Sequence, residues 1–211
     1  MDIIDALNWR YATKYFDSQK ILPEEKIHNL KTAFNLTPTS YGLQPLKLVV
    51  VSDKTIQEEL FEASYNQKQV KTASHVFVLC VEKNINQVFI ENHFELVKQI
   101  RQTPDEILKP FRDFLIEDFL NKNDSQLQQW AINQAYLTIG NMLTVCALEK
   151  IDACPMEGFD AKSYASILNL DTYRIEPVLV MPIGYRAQDD EFSKFKKVRR
   201  PLEDVVIEIN N

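Results

Sequence analysis

Glycine is scarce in this sequence, with four residues in 211, and Gly42, Gly140, Gly158 and Gly184 stand far from one another. That spacing excludes both G-x-G-x-x-G and G-x-x-x-x-G-K-[ST], so no glycine-rich turn can cradle a nucleotide phosphate. Cysteine is also rare: Cys80, Cys146 and Cys154 form no C-x-x-C pair and are odd in number, which argues against a disulfide framework. His28, His75 and His93 are scattered, without H-E-x-x-H or Cys/His pairing, and no metal site is expected. No apolar run approaches the roughly 18 residues of a membrane span. "MDIIDALNWR" has an acid where a secretory signal carries basic residues, so the expected compartment is cytoplasmic. The balance of 24 basic against 30 acidic residues, net −6, excludes a general nucleic-acid binder, because neutralising phosphates needs a basic surface. The serines lack a G-x-S-x-G context, and no hydrolytic constellation stands out.

What is present is enough apolar material for a sizeable core: 45% hydrophobic residues, with 12 Phe and 8 Tyr. The start places Ile3, Ile4 and Leu7 on one face of a short helix, and Pro23 opens a second in which Ile27, Leu30 and Phe34 recur at helical spacing. "LKLVVVS" and "HVFVLCVE" are short runs rich in β-branched residues and read as buried strands, with "DKTIQEELFEASYNQKQVKTA" reading as helix between them. From Asn84 to about Lys122 the pattern is helical, interrupted by Pro104 and Pro110, with an aromatic face of Phe111, Phe114, Leu115 and Phe119. The longest helical signal, 125–150, is apolar on more than one face and is expected to be central or intersubunit. "EPVLVMPIGY" and the final "VVIEI" read as further strands. No repeat or linker divides the chain, so residues 1–211 form a single α+β domain with a small mixed central sheet surrounded by helices.

Without a glycine loop, a phosphate site needs arginine forks and lysine charges. Two groups offer them: "RYATK", with Arg10 and Lys14 one turn apart if helical, and "KKVRR" near the end. Bound-cofactor chemistry is favoured over a protein nucleophile. Several stretches, taken in order, then resemble one family. "MDIIDALNWRYATKYF" is similar to the start of FMN-dependent nitroreductases, in particular the oxygen-insensitive NAD(P)H nitroreductase and dihydropteridine reductase branch, whose form is R-[HS]-S-x-[KR]. "TPTSYGLQPLKLVVV" resembles S-P-S-x-x-N-x-Q-P-W followed by a strand, and "ASHVFVLCV", "NQAYLTIGNMLTVCALEKIDACPMEGFD" and "KKVRRPLEDVV" continue the likeness along nearly the whole chain.

The resemblance implies an intertwined homodimer with FMN at the subunit interface. Arg10, Lys197 and Arg199 are then expected to hold the phosphate, with Tyr11 and Ala12 beside them and Lys14 at the pyrimidine edge of the flavin. Thr39, Ser40, Gly42 and Gln44 are expected to reach the FMN of the partner subunit. Asn66 is expected at the flavin edge, and Pro155, Met156, Glu157 and Gly158 along its face, with a backbone N–H near Glu157 donating toward N5. Gly158 is expected to allow close approach of the chain. Lys14 and Gln69 are expected to meet substrate. The chain departs from the pattern where Tyr11 and Ala12 replace His and Ser, Gly42 replaces Asn, and Leu46 replaces Trp; in the N-x-x-K stretch, Gln69 takes the lysine position with Lys68 one residue early. The implied activity is ping-pong hydride transfer from NADH or NADPH, via flavin N5, to a small-molecule acceptor: a nitroaromatic, quinone or pteridine. The alternatives are an enone or free-flavin reductase on the same fold, or a flavin-binding protein without turnover.

Overall fold

The computed structural model describes residues 2–210. The chain opens on α1 (Ile3–Trp9), capped by the Asp2 carboxylate, which accepts the Ile4 N–H. Ile3, Ile4 and Leu7 do share a face, yet they are exposed and only Ala6 is buried. Pro23 caps α2 (Glu24–Leu36) from just outside, and Ile27 and Leu30 enter the core. β1 (Leu46–Val51) follows the polar loop, then α3 (Lys54–Glu62) and α4 (Lys68–Thr72). The sequence there reads as one helix, but Tyr65 and Asn66 take φ of 53° and 57°, left-handed values that end a right-handed helix. The break presents Asn66 at a turn instead of on a helix face.

β2 (His75–Glu82) shows why the core has two halves: Phe77, Leu79 and Val81 join one cluster, while Val76, Val78 and Cys80 join the other, the period-two alternation of a strand buried on both faces. α5 (Gln87–Arg101) and α6 (Asp105–Leu120) form a hairpin over the first cluster. Pro104 precedes α6, whereas Pro110 is carried inside it. The aromatic face divides: Leu115 and Phe119 are buried, Phe111 and Phe114 exposed. α7 (Asp124–Leu148), opened by an Asn123/Gln126 capping box, buries Ala131, Ala135, Met142 and Cys146 against the sheet while Tyr136 and Leu137 face outward. β3 (Asp152–Ala153), α8 (Ala161–Ile167) and β4 (Ile175–Gly184) complete the named elements.

The sheet order is β1-β2-β4-β3, every pair antiparallel. The mixed sheet expected from sequence is therefore antiparallel, and the one parallel pairing among the described residues is an isolated bridge between Ala12 and Ala153. A bulge between Leu79 and Cys80 opposes Pro177, where a residue without an N–H can sit in a strand. β1 is an edge: its far side has no strand beside it, although "LKLVVV" is strongly β-forming. The strand expected at 205–209 is not formed: Val205 is a turn, the Val205 and Val206 N–H groups donate to the Leu202 carbonyl, and Ile207 and Ile209 are each 90% exposed. Among the described residues no helix is long and apolar enough to cross a membrane, and no cluster of His, Cys, Asp and Glu could hold a metal ion.

Candidate active site

Arg10 ends α1 with extended backbone (φ −72°, ψ 146°), so the chain from Arg10 to Tyr15 is an extended strap, not the helical turn the spacing of Arg10 and Lys14 allowed. Extended residues alternate sides. Trp9 and Tyr11 both stack on the Arg186 guanidinium, whose carbon lies 4.2 and 4.6 Å from their ring centroids. Arg186 is itself fixed by Asp152, which accepts its Nε–H at 2.7 Å and its backbone N–H at 2.8 Å. Behind the strap lies Asp190, wholly buried, accepting the Lys14 and Tyr15 N–H groups.

The C-terminal arm folds back onto this strap. Lys197 Nζ donates to the Arg10 carbonyl, and a groove of about 430 Å³ runs between the two ends of the chain. Arg10, Tyr11, Ala12, Lys14, Lys197 and Arg199 all line it, together with Lys196 and the rings of Trp9, Phe192 and Phe195. Five cations meet there, and no Asp or Glu is among the lining residues. Burial, then repulsion from Arg199, lowers the Arg10 pKa; burial, then repulsion from Arg10 and Arg199, lowers that of Lys197. Such a cluster is poised for an anion of more than one charge.

A second hollow of about 320 Å³ shares Lys14 and Phe192 with the groove and adds Tyr15, Asn66, Lys68 and Gln69. Asn66 and Lys14 are thus brought together as the motif implied. Gln69 reaches the same hollow, but its side chain is 4% exposed and turned inward, donating to Gln67 Oε1 at 3.0 Å and lying 4.0 Å from Cys154 Sγ. The exposed charge is instead on Lys68, over the Tyr15 ring at 5.6 Å. Gln69 thus stands in the wall of the hollow as a buried, paired amide. Beneath Lys14, at 3.8 Å from its Nζ, sits Cys154 Sγ, whose thiol pKa is raised by burial against the opposing pull of Lys14.

Residues 155–158 line neither hollow but are tied to them. Met156 exchanges backbone bonds with Val180, Glu157 accepts the Tyr136 hydroxyl at 2.7 Å, and the Gly158 carbonyl accepts the Gln67 amide at 2.7 Å. A Cβ on Gly158 would stand 3.1 Å from that amide, so the close approach that glycine permits is taken by Gln67.

The polar loop at 39–44 lies elsewhere in this chain. Thr39 and Gln44 line a separate groove of about 530 Å³ along β1. Gln134 of α7 accepts the Ser40 N–H at 2.8 Å, Thr39 Oγ1 accepts the Gln44 N–H, and the Gln44 amide donates to the Asn35 carbonyl. Gly42 has φ +72°, a value that glycine and asparagine tolerate better than other residues. Within one chain these four residues do not meet Arg10. Sequence reading missed Asp152, Asp190 and Gln134, which burial singles out, and Arg186 and Gln67, which only their folded contacts do.

The nitroreductase family model matches residues 7–185. A provisionally named NAD(P)H nitroreductase of Staphylococcus haemolyticus is 34% identical over 212 aligned positions, covering 97% of this chain and 95% of that one. In fold, a provisionally named nitroreductase of Bacillus subtilis superposes with a TM-score of 0.87 at 24% identity over 98% of both chains. A nitroreductase of Exiguobacterium sibiricum, also provisionally named and solved in complex with FMN, gives 0.84 at 19% identity over 99% of this chain and 98% of that one. A match that spans most of the chain, joined to a relative alike over nearly its full length, means that this protein belongs to the nitroreductase family, whose members are flavin-dependent oxidoreductases using NAD(P)H.

Proposed function

We propose that this protein is an FMN-dependent NAD(P)H oxidoreductase, working as an intertwined homodimer and passing reducing equivalents to a nitroaromatic, quinone or pteridine. The observation that carries the reading is the acid-free groove of five cations, built from both ends of a chain whose net charge is −6. The donor set fits the phosphate of FMN: Arg10 and Arg199 offer planar forks and Lys197 a point charge. Tyr11 and Ala12 form the strap beside them. Lys14 and Asn66 stand at the continuing hollow, where a flavin ring would lie, and residues 155–158 are the segment assigned to its face. Bound there, FMN supplies two-electron transfer between NAD(P)H and acceptor, the two using the pocket in turn. The protein's part is positional and electrostatic: Lys14 favours negative charge on the ring edge, and the aromatic walls of the groove exclude water.

Three features support the dimer. α1 exposes Ile3, Ile4 and Leu7, and α7 exposes Tyr136 and Leu137, apolar surface that a lone chain leaves wet. β1 has a free, strongly β-forming edge, a liability unless covered. Residues 205–209, strand-like in sequence, form no strand within one chain, and adding them to β1 of a second copy would satisfy both. In such a dimer Thr39, Ser40, Gly42 and Gln44 serve the FMN held by the other chain's Arg10. The three cysteines are free and buried, which supports the reducing cytoplasm as the compartment.

The activity is tested anaerobically on FMN-loaded protein. NADH or NADPH is expected to bleach the yellow absorbance of the oxidised flavin, and a nitroaromatic or quinone to restore it; bound chromophore that neither nicotinamide bleaches would point to a flavin-binding protein without turnover. Affinity should also depend on pH. Lys197 and Arg10 have depressed pKa values, so the free site loses positive charge earlier than usual as pH rises, and FMN binding weakens on the alkaline side. On the acid side it weakens below about 6, where a phosphate monoester loses its second charge. Titration with FMN from pH 5 to 10 should give a plateau between two declines, and riboflavin, lacking phosphate, should show neither.

A further inference from the structure

We propose that Asp190 is the positioning residue that assembles the phosphate site, and that its carboxylate sets the preference of this protein for a phosphorylated flavin. This rests on the FMN reading above. Asp190 is 0% exposed. Its Oδ2 accepts from the Tyr11 hydroxyl at 2.8 Å, the Lys14 N–H at 3.0 Å and the Tyr15 N–H at 3.3 Å, while Oδ1 accepts the Phe192 N–H at 3.1 Å. Among the described residues no basic side chain is ion-paired with it. A carboxylate buried without a cation is costly unless its oxygens are well supplied with donors, and this one has four.

Those donors come from both ends of the chain. Tyr11, Lys14 and Tyr15 belong to the strap that carries Arg10; Phe192 begins the arm that carries Lys197 and Arg199. Every residue of the arm from 191 to 210 is exposed, which makes Asp190 the last buried anchor before it. Ser193 adds two bonds to the Asp190 carbonyl, through its N–H at 3.0 Å and its hydroxyl at 2.7 Å, and so turns the arm back toward the strap. The arm's cations repel Arg10, so apolar packing does not hold them in the groove; the register imposed at Asp190 and the Lys197 bond to the Arg10 carbonyl do. Without that register the three phosphate-binding side chains no longer converge. A flavin that carries no phosphate uses only Lys14 and Tyr15 of this set, at the ring hollow, and so loses less.

The experiment compares dissociation constants for FMN and riboflavin, read by quenching of flavin fluorescence, in the intact protein and in Asp190→Asn and Tyr11→Phe. In Asp190→Asn, which keeps a single oxygen acceptor, FMN should bind about 30-fold more weakly and riboflavin, which meets only the ring-side residues, about threefold more weakly. Tyr11→Phe, which removes one donor and leaves the ring stacked on Arg186, should lose about fivefold toward FMN alone. An unchanged FMN-to-riboflavin ratio in Asp190→Asn, or equal weakening of both flavins, overturns the proposal. Should Asp190→Asn fail to fold, Tyr11→Phe decides by the same ratio. A wild-type protein indifferent to the phosphate overturns the FMN reading itself and this proposal with it.

Discussion

Arg10→Ala yields a folded protein that has lost its FMN. Arg10 is a half-buried cation of the groove: burial leads the causes of its lowered pKa, and Arg199 adds repulsion. A phosphate dianion reverses both penalties at once, since it restores solvation to the guanidinium and neutralises the neighbours. Removing a partner of such an enclosed charge pair costs about 3–5 kcal/mol, a fall in FMN affinity of roughly 200- to 4000-fold. The fold survives because the strap is held from its other side, by Trp9 and Tyr11 on Arg186, by Asp152, and by Asp190. Flavin content after purification and the thermal midpoint are the two measurements. Lys197→Ala should lose less, because Lys197 is exposed and its ammonium already bonds the Arg10 carbonyl. Full flavin content in Arg10→Ala would remove the phosphate from this groove.

Deleting residues 204–211 is expected to abolish the proposed dimer, and flavin binding with it. The segment removed contains Val205, Val206, Ile207 and Ile209, all exposed in one chain, and the edge it is proposed to cover, Leu46–Val51, is of similar length. Losing a paired edge strand removes its ladder of backbone bonds and exposes β-branched side chains together. The truncated protein should run as a monomer of about half the native mass, with a tendency to aggregate through β1, and FMN affinity should fall more than about 100-fold once Thr39, Ser40 and Gln44 of the second copy are gone. Ile207→Asp keeps the chain length and should shift the same equilibrium more mildly. Size exclusion with light scattering, run with and without FMN, checks both variants, and a truncated protein that stays dimeric and yellow refutes the exchange of tails.

Many of the elements could be read along the chain because their signals are local. β2 alternates Phe77, Leu79 and Val81 against Val76, Val78 and Cys80, and α2 repeats Ile27 and Leu30 on one side. What local signals left open was the partner of a face. Ile3, Ile4 and Leu7 do line up, but periodicity says only that a face is apolar, not whether this chain covers it. The run from 53 to 73 has helical composition throughout, and what divides it is a pair of left-handed residues, of which Asn66 is a type that adopts that region readily and Tyr65 is not.

The site divides the same way. Charge type and motif order are written in the residues: the scarcity of glycine leaves side-chain charge as the means of holding a phosphate, "RYATK" and "KKVRR" offer it at opposite ends, and the family resemblance is what singles out Arg10, Lys197 and Arg199. Whether those ends meet is a matter of chain path across a separation of 187 positions, and Lys197 on the Arg10 carbonyl answers it. Burial is equally invisible in one dimension: Asp189 and Asp190 are identical neighbours on paper, yet Asp190 is wholly enclosed with four donors around its carboxylate. Local chemistry is a property of residue order, whereas desolvation and convergence belong to the folded surface, which is why the cations could be named beforehand and the buried acid that registers them could not.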